Sequence, residues 1–233
     1  MGMDSYQQYA NRDLSSTQDK SHDLMWVTYR WMSLGLALTG MVAFFVSQSP
    51  AAQQLVFGNR IVFYGLLIAE FGMVLAFNSV ARRASAAATV AMFLSYAALN
   101  GVTLSVIFMA YTQGSIAQTF FITAGTFGAL SLFGATTKRN LAPLGQFMTF
   151  GLIGIVIASL VNLFWMNSGL QWAITYIGVL VFAGLTAWDT QKLQQLFAAR
   201  GGAQNLPVVG ALLLYLDFIN MFLFLLRLFG RRR

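Results

Sequence analysis

Seven apolar stretches separated by short polar breaks dominate this chain: 25–46, 61–81, 86–111, 116–136, 143–166, 170–197 and 207–229. A helix needs ~20 residues to cross a ~30 Å hydrocarbon core, and every stretch is long enough. Lipid offers no water to bond exposed backbone N–H and C=O groups, so stretches of this kind cross as helices. The expected fold is an all-α membrane protein with seven transmembrane helices. Composition enters as a check. Of 233 residues, 58% are apolar and 9% are charged, against ~25% charged in a soluble domain. The low charge excludes a water-soluble enzyme, and the high apolar content excludes a disordered chain. There is no cysteine and one histidine, His22. Thiolate sites, disulfides and zinc sites that need several imidazoles are therefore out.

The charges set a topology. Pro50, Pro143 and Pro207 fall at segment edges, where helices start and stop. Trp26, Trp31, Trp165, Trp172 and Trp188 lie towards segment ends, as an aromatic belt requires. The N-terminal tail and the even-numbered loops carry Arg12, Lys20, Arg82, Arg83, Lys138, Arg139, Lys192 and Arg200, whereas the odd-numbered loops carry only Arg60. By the positive-inside rule the tail is cytoplasmic. The formal charge of +7 is thus read as a topology signal, with no nucleic-acid partner. Residues 1–24 form a polar cytoplasmic tail, 25–230 the seven-helix domain and 231–233 a basic end. The tail is expected to be a mobile arm. It has no apolar signal-peptide core, so no cleavable signal is expected, and Tyr6 stands where myristoylation needs Ser or Thr. Seven crossings place the C-terminus outside, yet Arg227 and Arg231-Arg232-Arg233 favour the cytoplasm. Either the last segment crosses regardless, which is the reading taken, or it dips in and returns.

Packing signals are fewer. Gly58, Gly65 and Gly72 recur every seven residues, and a small-residue run at 84–88 opens the third span. Both are expected to be flat faces for close helix approach. Asn78, Asn100 and Asn162 are expected to be interhelical hydrogen-bonding glue.

The acids carry the functional signal. Asp4, Asp13, Asp19 and Asp23 lie in the tail, but Glu70, Asp189 and Asp217 lie inside apolar stretches. A mid-bilayer carboxylate costs at least ~2.5–3.5 kcal/mol and is a functional candidate by default. Asp189 is eight residues before Phe197, and Asp217 is ten after Pro207. At ~1.5 Å per residue the two lie ~12 and ~15 Å from the hairpin apex over 198–206, at similar depth on antiparallel neighbours. If they face each other they cannot both ionise cheaply, because desolvation and repulsion both favour a proton on one of them. Such a pair titrates as a unit: the shared proton holds it together, and its loss drives it apart. The bland alternative is two separate acids, each neutral or capped by a neighbour. Glu70, ~18 Å from Arg82, either marks the same pathway deeper in or is a protonated acid bonded to a neighbouring helix. Arg82 and Arg83 are read first as topology charges. Calcium takes six to eight oxygens. Two Asp, with Glu70 and a few Asn or backbone oxygens, give a partial set that water would complete. That is weak binding, which suits permeation. A proton-coupled transporter would use the same acids.

Tyr215-Leu216-Asp217-Phe218-Ile219-Asn220, followed by Phe222, Leu225-Leu226-Arg227 and Phe229-Gly230, resembles the last-helix signature of the Bax inhibitor-1 family. Ala187-Trp188-Asp189-Thr190-Gln191 resembles its sixth-helix motif, with Trp188 where Tyr is more usual. Leu130-Ser131, Thr137-Lys138-Arg139, Leu144-Gly145, Gly151-Leu152 and Asn162 resemble its central block, and Asn100-Gly101-Val102-Thr103-Leu104-Ser105 its third span. The likeness covers nearly everything after residue 25, and the absence of Cys with a short tail matches a bacterial inner-membrane member. It implies a last helix enclosed by the other six. It also implies a pH-sensitive calcium leak gated at Asp189 and Asp217, closed in part by a latching Arg, here Arg82 or Arg83. Glu70 and Asn100 are candidates for the ion pathway, calcium is the permeant ion, and no tightly bound cofactor is implied.

Two other functions compete. Family members are associated with stress protection, and some bacterial ones with restraining a membrane-bound AAA protease. The chain would then be a non-conducting regulator of other membrane proteins, with the polar tail as contact arm. An intramembrane aspartyl protease would need Tyr-Asp and Gly-x-Gly-Asp, but Asp189 follows Trp188 and Asp217 follows Leu216. The chain is therefore expected not to be an enzyme.

Overall fold

The computed structural model describes residues 3–200 and 205–233, with side chains from residue 20 and excluding residue 200. The described residues form α1 (Met3–Gln48), α2 (Pro50–Phe57), α3 (Arg60–Ala81), α4 (Ala86–Ala110), α5 (Gln113–Thr136), α6 (Ala142–Trp165), α7 (Ser168–Arg200) and α8 (Leu206–Phe229). Seven of them are long and apolar enough to span: all but α2, with the first span running over Lys20–Gln48 of α1. Each predicted apolar stretch is one of these helices. The short α2 was not anticipated; it fills the first loop.

Helix ends are set by local chemistry. Ser49, Asn59, Ser85 and Thr112 cap α2, α3, α4 and α5, each side-chain oxygen accepting a first-turn backbone N–H. Pro143 and Pro207 sit in the first turns of α6 and α8, where a missing N–H is harmless. Met166, at φ 48°, closes α6, and Asn162 accepts the N–H of Asn167 just beyond it. Asn162 is thus a local cap, and Asn78 is exposed and bonds no other helix; of the three expected glue residues only Asn100 crosses between helices. The N-terminal tail has a regular backbone. From Met3 its backbone is helical and runs unbroken into the first span, since no Gly or Pro interrupts 3–34. Met1, Gly2 and the glycines of the 198–206 hairpin lie outside the described residues.

The last span is the most buried of the seven and α6 the least. Helix α8 packs on α1, α3, α4, α5 and α7, while α6 packs on α7. Between lipid-embedded helices there is little hydrophobic driving force, so close packing and interhelical hydrogen bonds hold the bundle together. Close approach is made by glycines outside the predicted stripe. A Cβ on Gly101 would meet Thr39 O at 2.7 Å and Val42 Cβ at 2.8 Å, joining α4 to α1. A Cβ on Gly134 would strike the Ala187 carbonyl, joining α5 to α7. Gly65 and Gly72 have nothing within 4 Å of where a Cβ would be, and Gly58 meets only its own preceding turn. The run at 84–88 is largely exposed. A heptad of small residues defines a face, but here α3 is peripheral and no other helix packs on Gly65 or Gly72.

The bundle has two distinct ends. His22 of α1 shares a cleft with Ala135 of α5 and Gln194 of α7, and Asn205 Nδ2 donates to the carbonyls of Ala81 (2.7 Å) and Ala84 (2.9 Å). The start of the first span and the even loops therefore share one end. At the other end, Thr112 N donates to Arg231 O (2.9 Å) and Arg233 N to Ala110 O (3.1 Å), in an antiparallel bridge between Tyr111 and Arg232. The C-terminal segment is thus pinned to the third loop, and the last helix runs from one end of the bundle to the other.

Candidate functional site

Helices α7 and α8 run antiparallel and bring their acids together. Asp189 and Asp217 are both 4% exposed, and the two side chains lie beside each other on one cavity. Asp189 Oδ1 and Asp217 Oδ2 have no hydrogen-bond partner. Lys192, one turn further along α7, places Nζ 3.7 Å from Asp189 Oδ1 and 4.4 Å from the centre of the Trp188 ring. It is the only ion pair among the described residues. The lysine side chain is 52% exposed, so it spans from the buried acids to the polar end of the helix. Its half-exposed pair with Asp189 contributes at most ~1 kcal/mol.

The pair opens into a cavity of about 690 Å³ lined also by Glu70, Tyr96, Lys192 and Asn220. Leu67 and Phe71 of α3, both exposed, form its outer edge. Three carboxyls and one ammonium therefore share one space inside an apolar bundle. Glu70 is buried, accepts from Thr103 Oγ1 (2.8 Å) and Asn100 Nδ2 (3.3 Å), and has Tyr96 beside it. Asn100 Oδ1 accepts from the Tyr215 hydroxyl (3.1 Å), which also meets Thr39 Oγ1 (2.7 Å). One polar chain thus runs from α3 through α4 and α8 to α1. A second flanks the dyad: the Tyr29 hydroxyl bonds Ser131 Oγ, which bonds Thr190 Oγ1 at 2.9 Å. Next in sequence, Gln191 donates to Arg139 O (2.9 Å) and accepts from Leu141 N (2.8 Å), tying the fourth loop to α7.

The structure therefore gathers Asp189, Asp217 and Glu70 around one cavity, with Asn100 holding Glu70. It does not bring Arg82 or Arg83 to them. Both arginines are exposed beyond the end of α3 and line a separate surface cleft with Ser79. The cation beside the dyad is Lys192. By sequence Lys192 belongs to the topology charges, and its i,i+3 spacing from Asp189 is the local signal for this pairing. Tyr215 belongs to the last-helix motif, and a Tyr two residues before a membrane Asp carries no partner information by itself. Trp188, expected in the belt, instead packs on Gly145 and lines the cavity. Trp26, Trp165 and Trp172 are exposed as a belt requires.

No group of three or more His, Cys, Asp or Glu side chains forms a metal cluster among the described residues. The dyad offers at most four carboxylate oxygens, short of the six to eight that calcium takes.

A sequence profile described as "Inhibitor of apoptosis-promoting Bax1" matches residues 22–233. The chain belongs to the Bax inhibitor-1 family. It is 50% identical over 211 residues to the inner membrane protein YbhL of Escherichia coli K12, covering 88% of this chain and 90% of that protein. A protein of Deinococcus radiodurans is 42% identical over 228 residues, covering 95% and 97%. A membrane protein of Streptococcus pyogenes serotype M1 is 39% identical over 208 residues, covering 87% and 90%. These Bax inhibitor-1 relatives and the seven apolar helices identify a multi-pass membrane protein, and nothing in the names points to an enzyme.

Proposed function

We propose that this Bax inhibitor-1 protein is a pH-regulated calcium leak of a bacterial inner membrane, with the N-terminal tail on the cytoplasmic side. The observation that supports this most is the buried Asp189–Asp217 pair, which lines one cavity together with Glu70. A proton shared between the two carboxyls closes α7 against α8. Its loss as pH rises leaves two carboxylates in contact and Glu70 in the same cavity, with only Lys192 to offset them. Repulsion then separates the helices and exposes oxygens to a cation. Calcium passes as substrate, held by the two Asp, Glu70 and water, loosely enough to leave.

The test is calcium flux into dye-loaded liposomes carrying the purified protein, from acidic to alkaline pH. Wild-type flux rises with pH. Asp217→Asn keeps a permanent donor to Asp189, so its flux stays low at every pH; Asp189→Asn likewise loses the pH response. Wild-type liposomes that leak no faster than empty ones at any pH sink the proposal and leave the non-conducting regulator in its place.

A further inference from the structure

A second cavity lies away from the acids, towards the end of the bundle that carries the third loop. It measures about 300 Å³ and is lined by α1, α4, α5 and α8, with Gly40, Ala117, Phe121 and Ile219 among its walls. Its only polar lining groups are Thr39 and Gln113. The Thr39 hydroxyl is already committed to Ala97 O and Tyr215, which leaves Gln113, at the start of α5, as the free polar group. At this size, the lower end of the ~300–1,000 Å³ range of small-molecule sites, the cleft suits a slender apolar chain. Gly40 and Phe121 are exposed on the lipid-facing surface, so the cleft opens to the bilayer.

The charge beside it completes the picture. Arg231 is bonded through its backbone to Thr112, the residue before Gln113, and its carbonyl accepts from Ser115 Oγ at 3.5 Å. Arg231, Arg232 and Arg233 are exposed there. The odd loops and the end of α8 contain Arg60, Arg227 and these three arginines, and no Asp or Glu. The protein therefore supplies no carboxylate side chain to neutralise them.

We propose that this cleft binds an anionic phospholipid from the surrounding bilayer. One acyl chain lies between α1 and α5 over the face of α8, and the headgroup phosphate sits against Arg231–Arg233. The site is separate from the acid cavity and does not depend on ion flux.

The experiment is native mass spectrometry of the delipidated protein in detergent micelles doped with phosphatidylglycerol, with phosphatidylcholine of the same chains, or with dodecanoate. The wild type retains phosphatidylglycerol over phosphatidylcholine by at least about ten-fold, since each surface Lys or Arg favours anionic lipid several-fold. Arg231→Gln/Arg232→Gln/Arg233→Gln removes that preference. Gly40→Phe, introduced where a Cβ meets nothing within 4 Å, puts a ring in the cleft and removes both adducts. Ala117→Leu narrows the same cleft and weakens both, as a second variant should the first misfold. Equal retention of the two lipids by the wild type overturns the proposal. So does unchanged retention in folded Gly40→Phe. Retention of dodecanoate with none of phosphatidylglycerol also overturns it and assigns the cleft to a free fatty acid.

Discussion

Replacing Tyr215 with Phe removes one oxygen from the centre of the bundle and changes almost nothing else. Tyr215 is fully buried, and its ring stacks edge-on against Phe93 and Tyr96, with centroids at 5.8 and 5.9 Å. Phe keeps those contacts. The hydroxyl lies between Asn100 Oδ1 and Thr39 Oγ1, so its loss strands Asn100 Oδ1 while Thr39 retains Ala97 O. Interhelical side-chain hydrogen bonds in membranes average ~0.6 kcal/mol, with a maximum near ~1.7. A stranded buried acceptor costs ~1–3 kcal/mol when no water replaces the donor. Tyr215→Phe should therefore destabilise by about 1–2 kcal/mol. The assay is reversible unfolding in mixed micelles as the denaturing detergent fraction rises, with Tyr64→Phe, at an exposed tyrosine, as control. A double-mutant cycle with Thr39→Val should return a coupling of about 0.5 kcal/mol or more, because the two hydroxyls touch. A loss below ~0.3 kcal/mol, within the error of additivity, together with no coupling, would refute the argument that this chain joins α1, α4 and α8.

Two further outcomes follow from close contacts. Gly134→Val places methyl groups on the Ala187 backbone, which cannot yield as a flexible side chain can. It should cost about 1–3 kcal/mol, whereas Gly125→Val on the same helix, with nothing within 4 Å, should unfold at the wild-type detergent fraction. Gln191→Ala frees Arg139 O and Leu141 N, and should raise trypsin cleavage at Lys138 and Arg139 in the intact protein by about ten-fold, through easier local opening of the fourth loop.

The sequence by itself determined that this chain spans a membrane seven times, where each span begins and ends to within a few residues, and which acids lie in the bilayer. Length and hydropathy suffice for the spans because lipid admits only self-satisfied backbone. The similar depth of Asp189 and Asp217 also followed from counting, since rise per residue is fixed. Rotation about each helix axis is not fixed by counting. Only the tertiary structure turned the two Asp towards each other, brought Lys192 rather than Arg82 or Arg83 to them, and chose Tyr215 as the partner of Asn100. The glycines make the same point. Gly65 and Gly72 read as a packing face but meet no other helix, whereas Gly101 and Gly134 meet backbone. A helix in hydrocarbon has no wet side to betray its orientation. Its neighbours are decided by shape and by a few hydrogen bonds, which exist only once all seven helices are in place.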